Sequence, residues 1–293
     1  MSKPVFFISG ATGATGGAAA RQLLAKGSRV RAFVHREDER AQALREQGAE
    51  VAIGDLRDFH AVRKALKGAD RAYFVYPIQP GLIEATVQFA QAAEEAGIEA
   101  VVNMSQISAR ENARSNAAQA HWLAERVFDW SGLSVTHLRP TYFAEWLLTL
   151  APMIQQGLFY GPFTTGRHAP VAAEDQARVI VGVLENSPAH RGQIYPLYGP
   201  VEMTHAEIAK AAGSVLGKEV RYQSLPFEQW AETVKRVVVR RRYDDFLLQH
   251  LREVAIDHTN GVFAGTNDLV ERIGGRPPMT VEAFVEKHRD AFA

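Results

Sequence analysis

The strongest constraint on this chain is the run Gly10-Ala11-Thr12-Gly13-Ala14-Thr15-Gly16-Gly17, one serine after the apolar stretch Val5-Phe6-Phe7-Ile8. A helix-like stretch follows over residues 18–25, and a second apolar strand over 30–34 completes a βαβ pattern. Glycines at this spacing allow a tight turn, close approach of backbone to a pyrophosphate, and close packing of helix on strand. The helix N-terminus adds unpaired N–H groups and the positive end of a dipole. The segment therefore reads as a dinucleotide-binding turn.

The end of the second strand bears on which dinucleotide. About twenty residues beyond the glycine turn, a chain selective for NAD places an Asp or Glu to hold the ribose 2′-hydroxyl. Here the position is Arg36, with His35 beside it. An arginine is always charged and grips a phosphate with paired N–H donors, which suits the 2′-phosphate of NADP. The expectation is NADP, with NAD the weaker fit. Glu37, Asp38 and Glu39 follow closely enough to pair with Arg36 instead, the reading in which it is an ordinary solvated arginine.

Beyond this unit, short apolar strands keep alternating with amphipathic helices. Strands are expected over 50–53, 71–75, 100–104 and 134–138, with helices over 59–66, 82–96 and 117–131. Such alternation predicts an α/β fold, a Rossmann-like doubly wound parallel sheet with helices on both faces. Ligands lie at the carboxyl ends of such strands, so the loops carrying Gly54-Asp55-Leu56, Tyr76-Pro77, Ser105-Gln106 and Arg139 to Phe143 matter most. Residues 1–150 are expected to form this dinucleotide-binding domain. Residues 151–293 are expected to form a smaller α/β substrate lobe, with helices over 174–184, 205–216, 227–238 and 281–290 and a strand over 219–223; part of it can return to the sheet after Gly192.

With 293 residues, 33 basic and 33 acidic, the chain has no overall field to attract nucleic acid or an anionic membrane, and neither partner is expected. The basic cluster Lys235-Arg236 with Arg240-Arg241-Arg242 reads as the solvated side of helices whose apolar side is formed by Val234, Val237, Val238, Val239, Tyr243, Phe246 and Leu247. The absence of cysteine excludes disulfides, thiol nucleophiles and cysteine-ligated metals, and no metal site is read from the sequence. No apolar run reaches membrane-helix length, and Met1-Ser2-Lys3-Pro4 leads straight into the first strand, so a cytoplasmic protein is expected.

At this point the ordered motifs resemble the NmrA-like proteins of the atypical short-chain dehydrogenase/reductase superfamily, including its NADPH:quinone reductase-like members. The likeness rests on Gly10 to Gly16, Arg36, Gly54-Asp55-Leu56-Arg57-Asp58, and Ala124-Glu125 running through Ser131 to Pro140 with Phe143 beyond. It continues through Glu174-Asp175-Gln176-Ala177, Tyr198-Gly199-Pro200 and Lys287-His288-Arg289. It implies that Gly10, Ala11, Thr12, Gly13, Ala14 and Thr15 cradle the pyrophosphate and that Arg36 binds the 2′-phosphate. Asp55 and Leu56 would contact adenine, Val75, Tyr76 and Pro77 would lie along ribose and pyrophosphate, and Thr141, Tyr142 and Phe143 would flank the nicotinamide. For Asp55 a turn or helix-cap role stands beside the adenine role.

One departure from the family pattern concerns catalysis. Ordinary members of the superfamily carry a Tyr and a Lys four residues apart, and counting back from Glu125 those positions are Ala117 and His121. His121 is a candidate to orient a ribose hydroxyl or pass a proton through water, or else a helix residue with no such duty. Tyr142 and Ser105 are the other hydroxyl candidates. A flat conjugated acceptor such as a quinone asks little of a dedicated acid, so the expected function is an NADPH-dependent reductase of such a small molecule. Its pocket would draw on Tyr76, Tyr142, Phe143, Trp146, Phe159, Tyr160 and Phe163. The alternative is a non-catalytic NADP(H)-binding redox sensor. A pocket open beside the nicotinamide would favour the enzyme and a closed one the sensor; a homodimer stays open.

Overall fold

Phe6 and Ile8 face one side of the first strand while Val5 and Phe7 face the other, and both sets are buried. A strand buried on both faces belongs inside a parallel sheet. In the computed structural model, which describes residues 3–237 and 243–292, β1 (Val5–Ile8), α1 (Ala14–Ala25), β2 (Arg29–Val34), α2 (Glu39–Glu46), β3 (Glu50–Ile53) and α3 (Phe59–Leu66) follow one another. Then come β4 (Arg71–Phe74), α4 (Leu82–Glu95), β5 (Ala100–Met104), α5 (Asn116–Trp130) and β6 (Val135–Pro140). Helix α1 begins at Ala14, four residues before the sequence expectation, because the glycine turn itself becomes the first helical turn.

The remaining elements are α6 (Trp146–Thr149), α7 (Ala151–Gln155), β7 (Leu158–Gly161), α8 (Ala173–Glu185), β8 (Ile194–Leu197), α9 (His205–Leu216), β9 (Arg221–Ser224), α10 (Phe227–Val237), α11 (Asp245–Thr259), α12 (Leu269–Gly274) and α13 (Val281–Lys287). The main sheet is all parallel, in the order β3-β2-β1-β4-β5-β6-β8. Its order reverses at β1, with β2 on one side and β4 on the other. At such a switch point the strand-end loops splay apart and leave a crevice.

Helices cover both faces. Phe7, Phe33, Phe74, Phe89 and Phe128 fill the layer beneath α3, α4 and α5, and Leu23, Val30, Val102, Leu138, Val179 and Val183 fill the layer beneath α1 and α8. Residues 173–197 thus return to the sheet, α8 packing beside α1 and β8 pairing with β6. A separate apolar cluster joins α6, α7, α9, α10, α11 and α13 around Ile154, Trp230, Leu251 and Phe284, with β7 and β9 paired at its edge. Val234 is buried and Lys235 and Arg236 are exposed, as expected of a solvated basic face, while residues 238–242 lie outside the described residues. Among the described residues no helix is long and apolar enough to cross a membrane.

Candidate functional site

The crevice begins at the glycine turn. Gly10 has φ +56°, a conformation that L side chains rarely adopt. A Cβ on Gly16 would stand 2.5 Å from the Gly10 carbonyl oxygen and 2.7 Å from that of Ser9, so only glycine lets α1 approach the end of β1 this closely. No side chain caps α1 and its first turn holds no acidic residue, which leaves the exposed Gly13–Ala14 end fit for an anion. Ala11 and Thr15 support the turn from beneath. The Ala11 N–H donates to the Phe33 carbonyl at 3.4 Å, and the Thr15 hydroxyl lies 2.8 Å from that of Tyr73.

At the neighbouring strand end Arg36 is exposed and, among the described residues, has no ion pair. Two of the three acids that could have claimed it are engaged elsewhere: Glu37 with Arg45 at 2.7 Å, and Asp38 with Arg40 at 2.6 Å while also capping α2; Glu39 stands in the first turn of α2 and is not paired with Arg36. Arg40, which sequence reading passed over, also donates to the Thr12 carbonyl at 3.1 Å and so braces the turn. Asp55 accepts from the Arg57 backbone N–H at 2.8 Å and from its guanidinium at 3.0 Å, which holds its carboxyl below the usual range. The cap of α3 is Asp58, not Asp55, so Asp55 is a turn residue whose half-buried carboxylate stands beside half-buried Leu56.

On the far side of the switch point a cavity of about 330 Å³ opens between sheet and lobe. Strand-end residues Val75, Tyr76, Pro77, Met104, Ser105, Gln106, Thr141, Tyr142 and Phe143 form one wall, and Leu247, His250, Leu251 and Val254 of α11 form the other. Tyr76 is pinned by donating to the Pro80 carbonyl at 3.1 Å, and Thr141 by donating to the Phe263 carbonyl at 2.9 Å. Helix α5 is locked to β6 by Glu125, fully buried, which takes Arg139 through two bonds of 2.8 and 2.5 Å.

Three buried polar atoms on residues lining this cavity have no hydrogen-bond partner among the described residues: Ser105 Oγ, Gln106 Nε2 and Glu145 Oε2. Buried polar groups are rarely left unpaired, so Ser105, Gln106 and Glu145 keep hydrogen-bonding capacity that the described residues do not use. The other oxygen of Glu145 accepts from the Ala173 N–H at 2.9 Å. Burial, with Asp175 and Glu174 nearby, pushes its carboxyl pKa up. His121 also lines the cavity; burial, helped by His250, lowers it to about 4, so it is neutral near pH 7. His250 is braced by the Ser115 hydroxyl at 2.8 Å.

The aromatic candidates divide between two cavities. Tyr76, Tyr142, Phe143 and Trp146 line the large one, while Phe159, Tyr160 and Phe163 line a smaller one that shares Tyr142, Phe143 and Trp146. Glu145 and His250 were missed by sequence reading, while Gln106 was marked only as part of a strand-end loop. Nothing in their spacing marks them; their significance comes from where the fold leaves them.

The whole chain has recognisable relatives. It is 30% identical to the NAD(P)H azoreductase of Xenophilus azovorans over 98% of this chain and 99% of that protein. It is 27% identical to quinone oxidoreductase 2 of Escherichia coli strain K12, over 95% and 96% of the two chains. The crystal structure of the NADPH-dependent quinone oxidoreductase of Escherichia coli, complexed with NADPH, superposes with a TM-score of 0.84 at 25% identity, covering 97% of this chain and 99% of that one. With a family match that runs from residue 2 to residue 268, through the glycine turn, the sheet and most of the lobe, the chain belongs to the NmrA-like family.

Proposed function

We propose that this protein is an NADPH-dependent reductase that delivers a hydride to a flat conjugated acceptor, an aromatic azo compound or a quinone. The observation that carries the proposal is the open cavity of about 330 Å³, walled by the strand ends on one side and by α11 on the other. It is large enough for the reacting ends of two flat molecules and is lined mainly by apolar side chains. A redox sensor would need no such opening.

A bound NADPH would supply the hydride; the chain supplies position, a dry environment and proton management. The glycine turn and the uncapped end of α1 fit the pyrophosphate, and Ser105 and Gln106 offer the unpaired polar atoms that a carboxamide needs. Tyr142, Phe143 and Trp146 offer faces on which a planar acceptor can lie. We assign the proton to Glu145, the one carboxyl lining the cavity among the described residues, whose unpaired oxygen and raised pKa suit a donor.

The test is loss of NADPH absorbance with a panel of azo dyes and quinones, run beside NADPH binding by calorimetry. Turnover with at least one acceptor is expected; tight binding with no turnover across the panel would reject the reductase in favour of the sensor. Cofactor choice has its own test. Charge-assisted hydrogen bonds to a phosphate contribute about 1.5–3 kcal/mol, so Arg36→Ala should weaken NADPH binding about ten- to a hundredfold and leave NADH binding nearly unchanged. Equal losses for both cofactors would remove Arg36 from the 2′-phosphate.

A further inference from the structure

Behind Tyr142, on the side away from the large cavity, three histidines from distant parts of the chain meet. His168 lies on the segment between β7 and α8, where its N–H and carbonyl both bond to Met203 at 3.1 and 2.8 Å. His205 opens α9, and His258 stands in the last turn of α11. Their exposures are 1%, 4% and 0%, and their ring centroids are 4.8, 4.9 and 5.0 Å apart. Phe163 stacks on His205 at 4.2 Å, and the Tyr142 ring lies 5.0 Å from His168.

The nitrogens of this cluster face one another. His168 Nδ1 and His258 Nε2 are 2.9 Å apart, and one nitrogen from each of the three rings lies within 4.8 Å of the others. His258 Nδ1 is buried without a hydrogen-bond partner among the described residues. Burial disfavours the charged form of all three and lowers their pKa values, so at neutral pH each ring keeps a lone pair for a ligand. Three buried neutral imidazoles in an aromatic shell make one hydrogen bond among themselves and leave His258 Nδ1 buried without a partner among the described residues.

We infer that His168, His205 and His258 form a binding site for a single nitrogen-preferring divalent transition-metal ion of the Zn²⁺ class, held behind the Tyr142 wall of the acceptor cavity. Metal–nitrogen bonds of about 2.0–2.1 Å in a tetrahedral shell set neighbouring nitrogens about 3.4 Å apart. The His168–His258 pair has to open by about half an ångström and His205 has to close by about 1.4 Å, both within side-chain adjustment. A smaller cavity of about 30 Å³, bordered by His168 and His205, lies beside the cluster and has room for about one water that could serve as a fourth ligand. With imidazole donors alone and no carboxylate in the cluster, the set favours Zn²⁺, Co²⁺, Ni²⁺ or Cu²⁺ over Mg²⁺ or Ca²⁺. Ionisation of the bound water to hydroxide lowers the net charge buried there. The ion joins the segment before α8 to α9 and α11, and so fixes the wall against which the acceptor packs.

The experiment uses full-length protein stripped with a chelator and dialysed, then titrated with Zn²⁺ by calorimetry and with Co²⁺ by visible absorption. One equivalent of Zn²⁺, a rise in melting temperature, and the intense visible bands of four-coordinate Co²⁺ are expected, with no response to Mg²⁺. His205→Phe keeps the ring and its stacking on Phe163 but removes both nitrogens, and His258→Phe does the same for the second ligand. Each should lower Zn²⁺ affinity at least a hundredfold while the circular dichroism spectrum persists. Absence of a one-equivalent site in the parent protein, or Zn²⁺ binding that survives both substitutions, overturns the inference. Because the readouts are binding and spectra, the result stands apart from whether the protein turns over any acceptor.

Discussion

Turnover of an aromatic azo acceptor should fall about a hundredfold in Glu145→Gln, while turnover of a quinone should fall less than about fivefold. The difference follows from where the electrons finish. A quinone that has gained a hydride is a stabilised oxyanion, which water can protonate later. An azo group that gains a hydride at one nitrogen leaves strongly basic charge on the other, and needs a proton there as the transfer proceeds. Glu145 is the proposed donor: one oxygen is fixed by the Ala173 N–H at 2.9 Å, and the other is buried and unpaired among the described residues, on a residue that lines the cavity. Glutamine keeps the shape, and its amide oxygen can still accept from Ala173, so the loss reports the proton and not the packing. Since the donor must be protonated, azo turnover should also fall as pH rises through the raised pKa of this carboxyl, and Glu145→Gln should flatten that limb. Equal losses for both acceptors would make Glu145 a positioning residue, and no loss for either would remove it from the reaction.

The sheet was legible because its strands obey a simple rule. Buried parallel strands are short apolar runs between glycine or polar stops, and β1, β3 and β5 fall at the expected bounds. Helix α2 left little signal, since of Glu39–Glu46 only Ala41 and Leu44 are buried. No strand was expected before residue 219 in the 151–293 lobe, yet Leu158–Gly161 form β7, whose pairing with β9 supplies the order that the local sequence lacks. The helix expected to reach residue 290 stops at Lys287 and tightens into a 3₁₀ turn at Arg289–Phe292. Strand β8 carries Pro196 and pairs only with β6, an edge position where proline is tolerated but strand signals are weak.

The site divides in the same way. The glycine turn and Arg36 announce themselves, because a backbone conformation and a charge at a fixed spacing are sequence properties. Glu145 and the three clustered histidines do not. What makes Glu145 notable is an unpaired oxygen, and what makes His258 notable is two partners from distant elements; both are created only by packing.

Acidification should cost the folded protein about 3 kcal/mol through His121 alone. The imidazole is 4% exposed and its pKa falls from 6.5 to about 4 on folding, chiefly because burial penalises the charged ring. Above pH 6.5 both folded and unfolded chains hold it neutral and its contribution is fully present. Between 6.5 and about 4 the unfolded chain binds a proton that the folded chain refuses, so stability drops with falling pH and levels off below the folded pKa. His137, buried between Asn103 and Asp129, shifts in the same direction and steepens the loss. Denaturant unfolding followed across this range should show uptake of about one more proton in the parent than in His121→Gln, which cannot titrate. Identical slopes would mean that His121 becomes charged without unfolding, through water entering the cavity. The same burial constrains catalysis, because a ring that stays neutral down to about pH 4 can accept or orient a hydrogen bond at neutral pH but cannot lend a dissociable proton. Turnover should therefore lack any inflection from His121 near pH 6.5.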